Sequence, residues 1–189
     1  MPEPLPKRQT DALHRGRVSL PGARYFITLC AHRPTRELTR PALAKILLAE
    51  MNEVFCGADG RLLCATIMPD HIHALFELGG RLDVGQLVGK FKARTKACMT
   101  AYCVTWQRDF FEHRLRPEEP GSEYARYIFM NPYRAGLIER RAVWPWWRAG
   151  KVVDFDFMAH LDEGLYPPAE WIEEPLSASG LRQADMGPD

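Results

Sequence analysis

The chain lacks any apolar run approaching the roughly 20 residues that a membrane-spanning helix needs, which argues against a bilayer protein. Its start, with Pro2, Pro4 and Pro6 among charged residues, has none of the apolar core of a secretion signal, so the expected location is the cytoplasm. Cysteine is sparse and unpatterned: Cys30, Cys56, Cys64, Cys98 and Cys103 are odd in number and contain no Cys-x-x-Cys spacing. That argues against a disulfide framework and a structural zinc site, and reads instead as reduced, buried or half-buried small apolar side chains. No internal repeat is visible. Net charge is also small, +1, but unevenly placed: residues 151–189 set Lys151 and Arg182 against nine acids, so the excess of base lies in residues 1–150. A basic body with an acidic tail suits a domain that meets a polyanion.

What is present is an ordinary globular composition, 46% hydrophobic, in a chain long enough to bury one core. Arg24 to Cys30 is rich in aromatic and β-branched residues and reads as a strand. Pro41 opens an amphipathic helix to Cys56, with Leu43, Ile46, Leu47, Met51, Val54 and Phe55 as its apolar positions. Arg61 to Met68 and His71 to Leu78 read as two strands joined through Pro69-Asp70. A second helix is expected from Asp83 to about Cys103, a fourth strand within Trp106 to Leu115, and a third helix from near Glu123 to Asn131, where Pro132 should disrupt it. The order of the first six elements is that of an α+β, ferredoxin-like split β-α-β fold: a four-stranded antiparallel sheet with two helices on one face. Beyond Leu137 the chain is Trp- and Pro-rich and then acidic, and is expected to form an irregular extension that ends in disorder after about Pro175.

Two segments carry chemistry. His71-Ile72-His73 lies inside a predicted strand, so the two imidazoles project to one face while Ile72 points to the other. If helices cover the Ile72 face, the histidines lie on an open face as a bidentate site for a divalent cation. Two hydrogen-bonded histidines would satisfy the same pattern, so the pair needs support from elsewhere. It comes from Tyr127 and Asn131, which are i and i+4 neighbours on the third helix. The Asn131 carbonyl is a hard oxygen donor, and with His71 and His73 it makes a mixed set suited to Mg²⁺ or Mn²⁺ with open positions for phosphate oxygens. Tyr127 would then be a nucleophile towards that phosphate, leaving a covalent phosphotyrosine. Asn131-Pro132 is equally a plain helix stop. Tyr124 and Tyr133 are rival nucleophiles, ranked lower because one lies about 60° around the helix and the other past the expected break.

Three further groups are candidates. Lys90, Lys92, Arg94 and Lys96 form either a solvated helix face or a set of phosphate contacts, with Arg15, Arg17 and Arg24 as a weaker basic arm. Arg114 and Arg116 alternate with Leu115 and suit contact with a nucleic-acid backbone; His113 beside them could be a third imidazole, a DNA contact or a structural hydrogen-bonding group. Asp70 is a turn cap or the partner that orients a ligand histidine. Trp144, Trp146 and Trp147 read as packing before base stacking.

Met68-Pro-Asp-His71-Ile-His73-Ala-Leu-Phe76, Phe111-Glu-His-Arg-Leu-Arg116 and Tyr127-Ile-Phe-Met-Asn131-Pro-Tyr-Arg-Ala-Gly-Leu137 together resemble the REP-associated tyrosine transposases. These are relatives of the single-tyrosine insertion-sequence transposases in the His-hydrophobic-His endonuclease superfamily. Arg24-Tyr-Phe-Ile-Thr28 and Val143-Trp-Pro-Trp146 are similar to the same family, so the resemblance spans about residues 15–148. It implies a nuclease domain over 15–148 that recognises hairpins in single-stranded DNA, such as repetitive extragenic palindromes. The implied reaction cleaves beside the hairpin through a 5′-phosphotyrosine on Tyr127, with His71, His73 and Asn131 as metal ligands. Residues 1–14 are then a flexible arm and 149–189 an acidic extension on which the family pattern is silent. Monomer and homodimer both stay open. Two other functions fit the same sheet: a non-catalytic single-stranded nucleic-acid-binding module, which would present aromatics on the open face, and a metal hydrolase with no use for Tyr127.

Overall fold

A computed structural model describes residues 19–150 and 155–173. The N-terminal arm, Arg15 and Arg17, and the chain end expected to be disordered lie outside the described residues. The fold is α+β, built on an antiparallel sheet of β1 (Arg24–Cys30), β2 (Gly60–Ile67), β3 (His71–Leu78), β4 (Phe111–Arg114) and β5 (Trp147–Ala149) in the order β4-β1-β3-β2-β5. The first four strands stand in the order of the split β-α-β arrangement. The fifth corrects the expected sheet of four. The Trp-rich segment, read as irregular, pairs Trp147 with Thr66 and Ala149 with Cys64 along the outer edge of β2. A strand of three residues carries too little alternation to be visible as a pattern.

Helices α1 (Pro41–Val54) and α2 (Val84–Ala101) cover one face. Pro41 begins α1 at the position where its missing N–H is harmless, and Leu43, Leu47, Met51 and Val54 are buried against the sheet. Ile46, expected in that stripe, is instead exposed. Asp83 caps α2 through a reciprocal pair, accepting from the Gln86 amide at 2.7 Å while the Gln86 side chain accepts from the Asp83 amide at 3.0 Å. Within α2 the fully buried Thr95 hydroxyl donates to the Phe91 carbonyl at 2.8 Å and accepts from the Trp106 indole at 2.9 Å. Thr95→Val keeps the shape but strands that indole N–H, and should cost about 1–3 kcal/mol in urea unfolding.

The opposite face is not open. Helix α3 (Gly121–Arg134) lies across it, and its Tyr124, Tyr127, Ile128, Phe129 and Met130 form a second core with Phe26, Leu75, Phe155, Phe157 and Trp171. Covered on both sides, β1 and β3 are buried along nearly their whole length. α3 also runs through Pro132, where a stop was expected. Proline removes the bond to the Ile128 carbonyl, but only one turn remains, and that turn is held by other contacts. Pro132 and Tyr133 are buried, the Tyr133 hydroxyl donates to the Ala142 carbonyl at 2.8 Å, and Ala135 N–H closes on the Asn131 carbonyl at 2.9 Å. Gly136 then ends the helix at φ 62°, a conformation glycine adopts without penalty.

All five cysteines are free, but Cys56 and Cys103 are exposed. Both sit just past a helix end, where no core reaches them. Among the described residues no helix is long and apolar enough to cross a membrane.

Candidate metal and nucleophile site

Strand geometry decides which side chains meet. His71 and His73 project from β3 towards α3, while Ile72 and Ala74 enter the core under α1 and α2. In the neighbouring strands Thr28 of β1 and Thr66 of β2 stand directly opposite His73. The result is a row Thr28-His73-Thr66 roofed by α3.

The two imidazoles converge, with Nε2 to Nε2 at 3.1 Å. His71 Nδ1 lies 2.7 Å from the Asp70 carboxylate, and His73 Nδ1 lies 3.0 Å from the Thr28 hydroxyl. Asp70 accepts only, so His71 presents its proton at Nδ1 and, when neutral, a lone pair at Nε2. If His73 likewise donates to Thr28, two lone pairs face one another. One cation between them removes the conflict. Two nitrogens each about 2.1 Å from an ion and 3.1 Å apart subtend roughly a right angle, as adjacent octahedral ligands do. A direct N–H···N bond also fits that distance, in which case His73 carries its proton on the other nitrogen. The Thr66 hydroxyl beside them is fully buried and has no hydrogen-bond partner, a polar atom that an ion-bound oxygen would satisfy.

His73 is completely buried, stacked against Phe26 at 5.4 Å between ring centres. Burial, and secondarily the neighbouring His71, hold its pKa well below the ordinary histidine value. The unfolded chain therefore takes up a proton that the folded chain refuses. Stability should be level above about pH 6.5 and fall as pH drops below it towards the folded value. Urea unfolding at about pH 7.5 and about pH 5.5 checks this, and His73→Gln should flatten the difference.

The Tyr127 ring lies 5.5 Å from the His73 ring and is buried beneath α3. The rival tyrosines are engaged differently. Tyr124 stacks on His113 at 5.6 Å, and burial followed by the charge of Glu119 pushes its phenol pKa up. Tyr133 spends its hydroxyl on the Ala142 carbonyl. Asn131 sits one turn beyond Tyr127, half-buried, with its amide nitrogen 3.4 Å from the Tyr127 carbonyl. Among the described residues no three His, Cys, Asp or Glu side chains form a metal-binding group, so completing the pair requires an oxygen of another kind.

The other candidates lie elsewhere. α2 is on the far side of the sheet from the histidines, and three of its four bases have partners of their own. Lys90 pairs with Asp59 at 2.6 Å, Arg94 with Glu50, and Lys92 donates to the carbonyls of Gln107, Arg108 and Asp109. Burial lowers the Lys92 pKa to about 8. Lys96 is exposed on the same helix. His113 is paired with Glu119 at 2.9 Å and belongs to the β4 edge, opposite Phe26, not to the imidazole pair. Arg114 and Arg116 are exposed beside it. Trp144 donates to the Ile67 carbonyl at 3.1 Å and Trp147 packs on Phe129, so both serve packing. Thr28 and Thr66 were not anticipated; the available signal was a single threonine within the buried stretch of each strand.

Fold and site together define a ferredoxin-like domain in which a His-hydrophobic-His strand faces a tyrosine-bearing helix. No family model matches the chain. The Haemophilus influenzae protein that carries the REP-associated tyrosine transposase name is 30% identical over 94 residues, covering 42% of this chain and 53% of that protein. The REP-associated tyrosine transposase of Escherichia coli is 27% identical over 103 residues, covering 53% of this chain and 56% of that protein. The chain thus spans about half the length of the curated relatives it matches, and over that span it is similar to proteins named REP-associated tyrosine transposases. Among solved structures, a REP-associated tyrosine transposase bound to a REP hairpin superposes with a TM-score of 0.56 at 21% identity, over 74% of this chain and 93% of that one. That likeness carries the fold.

Proposed function

We propose that this chain is a metal-dependent endonuclease and strand transferase for single-stranded DNA, acting beside hairpin-forming repeats through a covalent bond to Tyr127. The observation that carries the reading is the placement of the Tyr127 ring 5.5 Å from His73, whose Nε2 converges with that of His71. His71, His73 and the Asn131 carbonyl would hold a divalent ion, Mg²⁺ or Mn²⁺, which when bound polarises the scissile phosphate. Asp70 and Thr28 hold the two imidazoles in orientation. The tyrosyl oxygen forms a bond to phosphorus, its proton passes to solvent, and the bond from phosphorus to the 3′ oxygen breaks, leaving a 3′ hydroxyl. Attack by another 3′ hydroxyl reverses the step and joins a new end.

The partner is a DNA hairpin with single-stranded flanks, a reading supported by the superposed relative being bound to a REP hairpin. Arg114 and Arg116 at the β4 edge are assigned to its backbone. The bases of α2 do not enter this reading, because they support the helix layer on the other side. The chain would work in the cytoplasm, on the nucleoid when bound, as a monomer or homodimer. A non-catalytic nucleic-acid module would make no use of the convergence of His71 and His73. A hydrolase without a covalent step would use Tyr127 only as packing.

Incubation with a labelled hairpin oligonucleotide and Mn²⁺ tests the proposal. An adduct that survives SDS is expected; its absence across varied hairpins would overturn the reading.

A further inference from the structure

The end of the sheet that carries His71 also borders a cavity. β1 finishes at Cys30, opposite His71, and the chain beyond it is tied to the turn before β3. Ala31 N–H donates to the Asp70 carbonyl at 2.8 Å, Leu38 N–H to the Pro69 carbonyl at 3.2 Å, and His32 N–H to the Thr105 carbonyl at 2.7 Å. These bonds fasten the segment after β1 and the segment after α2 to the residues that orient His71. Between them lies a cavity of about 530 Å³ whose walls include His32, Arg33, Thr35, Tyr102, Val104 and Thr105.

Its walls have two characters. Val104 is buried and Tyr102 is half-buried against the helix-side core, giving an apolar, partly aromatic floor. His32 and Arg33 are exposed at the mouth. Glu37 also lines the space, but its carboxylate is paired with Arg40 at 2.5 Å. Cys103, between Tyr102 and Val104, is held at φ 57°, a rare conformation for a residue with a side chain. A flat apolar ring with a cation at the rim is the complement of a nucleotide, whose base stacks and whose phosphate pairs with base. His32 is two residues past the partner of His71, about 7 Å along the strand direction, which is a nucleotide's reach.

We propose that this cavity takes one unpaired nucleotide of the strand flanking the hairpin, its base on Tyr102 and its phosphate at Arg33 and His32. The inference rests on the functional reading above and adds a determinant of which strand position is presented to Tyr127. The test uses hairpin oligonucleotides in which each flank position in turn is abasic, with affinity measured by fluorescence anisotropy. The wild-type protein should lose about fivefold or more at one position, and Tyr102→Ala should lose less than about twofold from the same change. Arg33→Gln, at an exposed position, should weaken binding to the intact strand and reduce its salt dependence. If Tyr102→Ala is as sensitive as wild type at every position, or Arg33→Gln binds as wild type does, the cavity assignment is overturned while adduct formation leaves the functional reading standing. If the wild-type protein binds no hairpin at all, both fall.

Discussion

Tyr127→Phe should abolish the covalent DNA adduct and lower cleavage by roughly 10³-fold or more, since the phenol oxygen is the atom assigned to attack phosphorus. The same variant should bind a hairpin oligonucleotide nearly as tightly as wild type. The reason is structural: the ring stays in place against His73 and Phe26, and only the hydroxyl is removed. Tyr124→Phe and Tyr133→Phe should behave the other way. Tyr133→Phe gives up a bond to the Ala142 carbonyl and should cost about 1 kcal/mol of stability, yet both variants should still form the adduct.

His71→Ala should lose Mn²⁺ affinity by more than about 100-fold in calorimetry, because removal of an outer-shell partner alone costs about 10–100-fold. Cleavage should fall with it and should not recover at higher metal concentration if the second imidazole cannot hold the ion alone. His71 is the informative choice of the pair. It is slightly exposed and its loss leaves a small gap, whereas His73 is enclosed and its truncation would also disturb the stacked Phe26. Chelation of divalent ions should reproduce the effect on wild type without any change in fold.

Much of this arrangement is legible in the sequence because it depends on local periodicity. The bounds of β1 follow from an aromatic and β-branched run and the start of β3 from the Pro69-Asp70 turn, and the two-residue period of a strand puts His71 and His73 on one face whatever lies above them. Periodicity does not say what covers that face. The histidine face was expected to be open and is instead roofed by α3, because the apolar side of that helix includes Tyr124, Ile128 and Phe129 and must be buried somewhere. The charge run in α2 had the converse problem. Its spacing describes a polar helix face, but not that the helix lies in the layer opposite the histidines, with Asp59 and Glu50 at hand. Pro132 is a local signal overridden by packing at the helix end. The Thr28 and Thr66 contacts depend on register between strands far apart in sequence, which no single segment encodes.

The central claim is that one tyrosine, the one beside the imidazole pair, takes the DNA. It is tested most directly by digesting the adduct with trypsin and fragmenting the modified peptide by mass spectrometry. Cleavage after Arg126 and Arg134 separates Tyr124 from a peptide that begins at Tyr127 and also contains Tyr133, and fragmentation divides those two. The account predicts a 5′-phosphodeoxynucleotide on Tyr127; a nucleotide on Tyr124 or Tyr133 would contradict it.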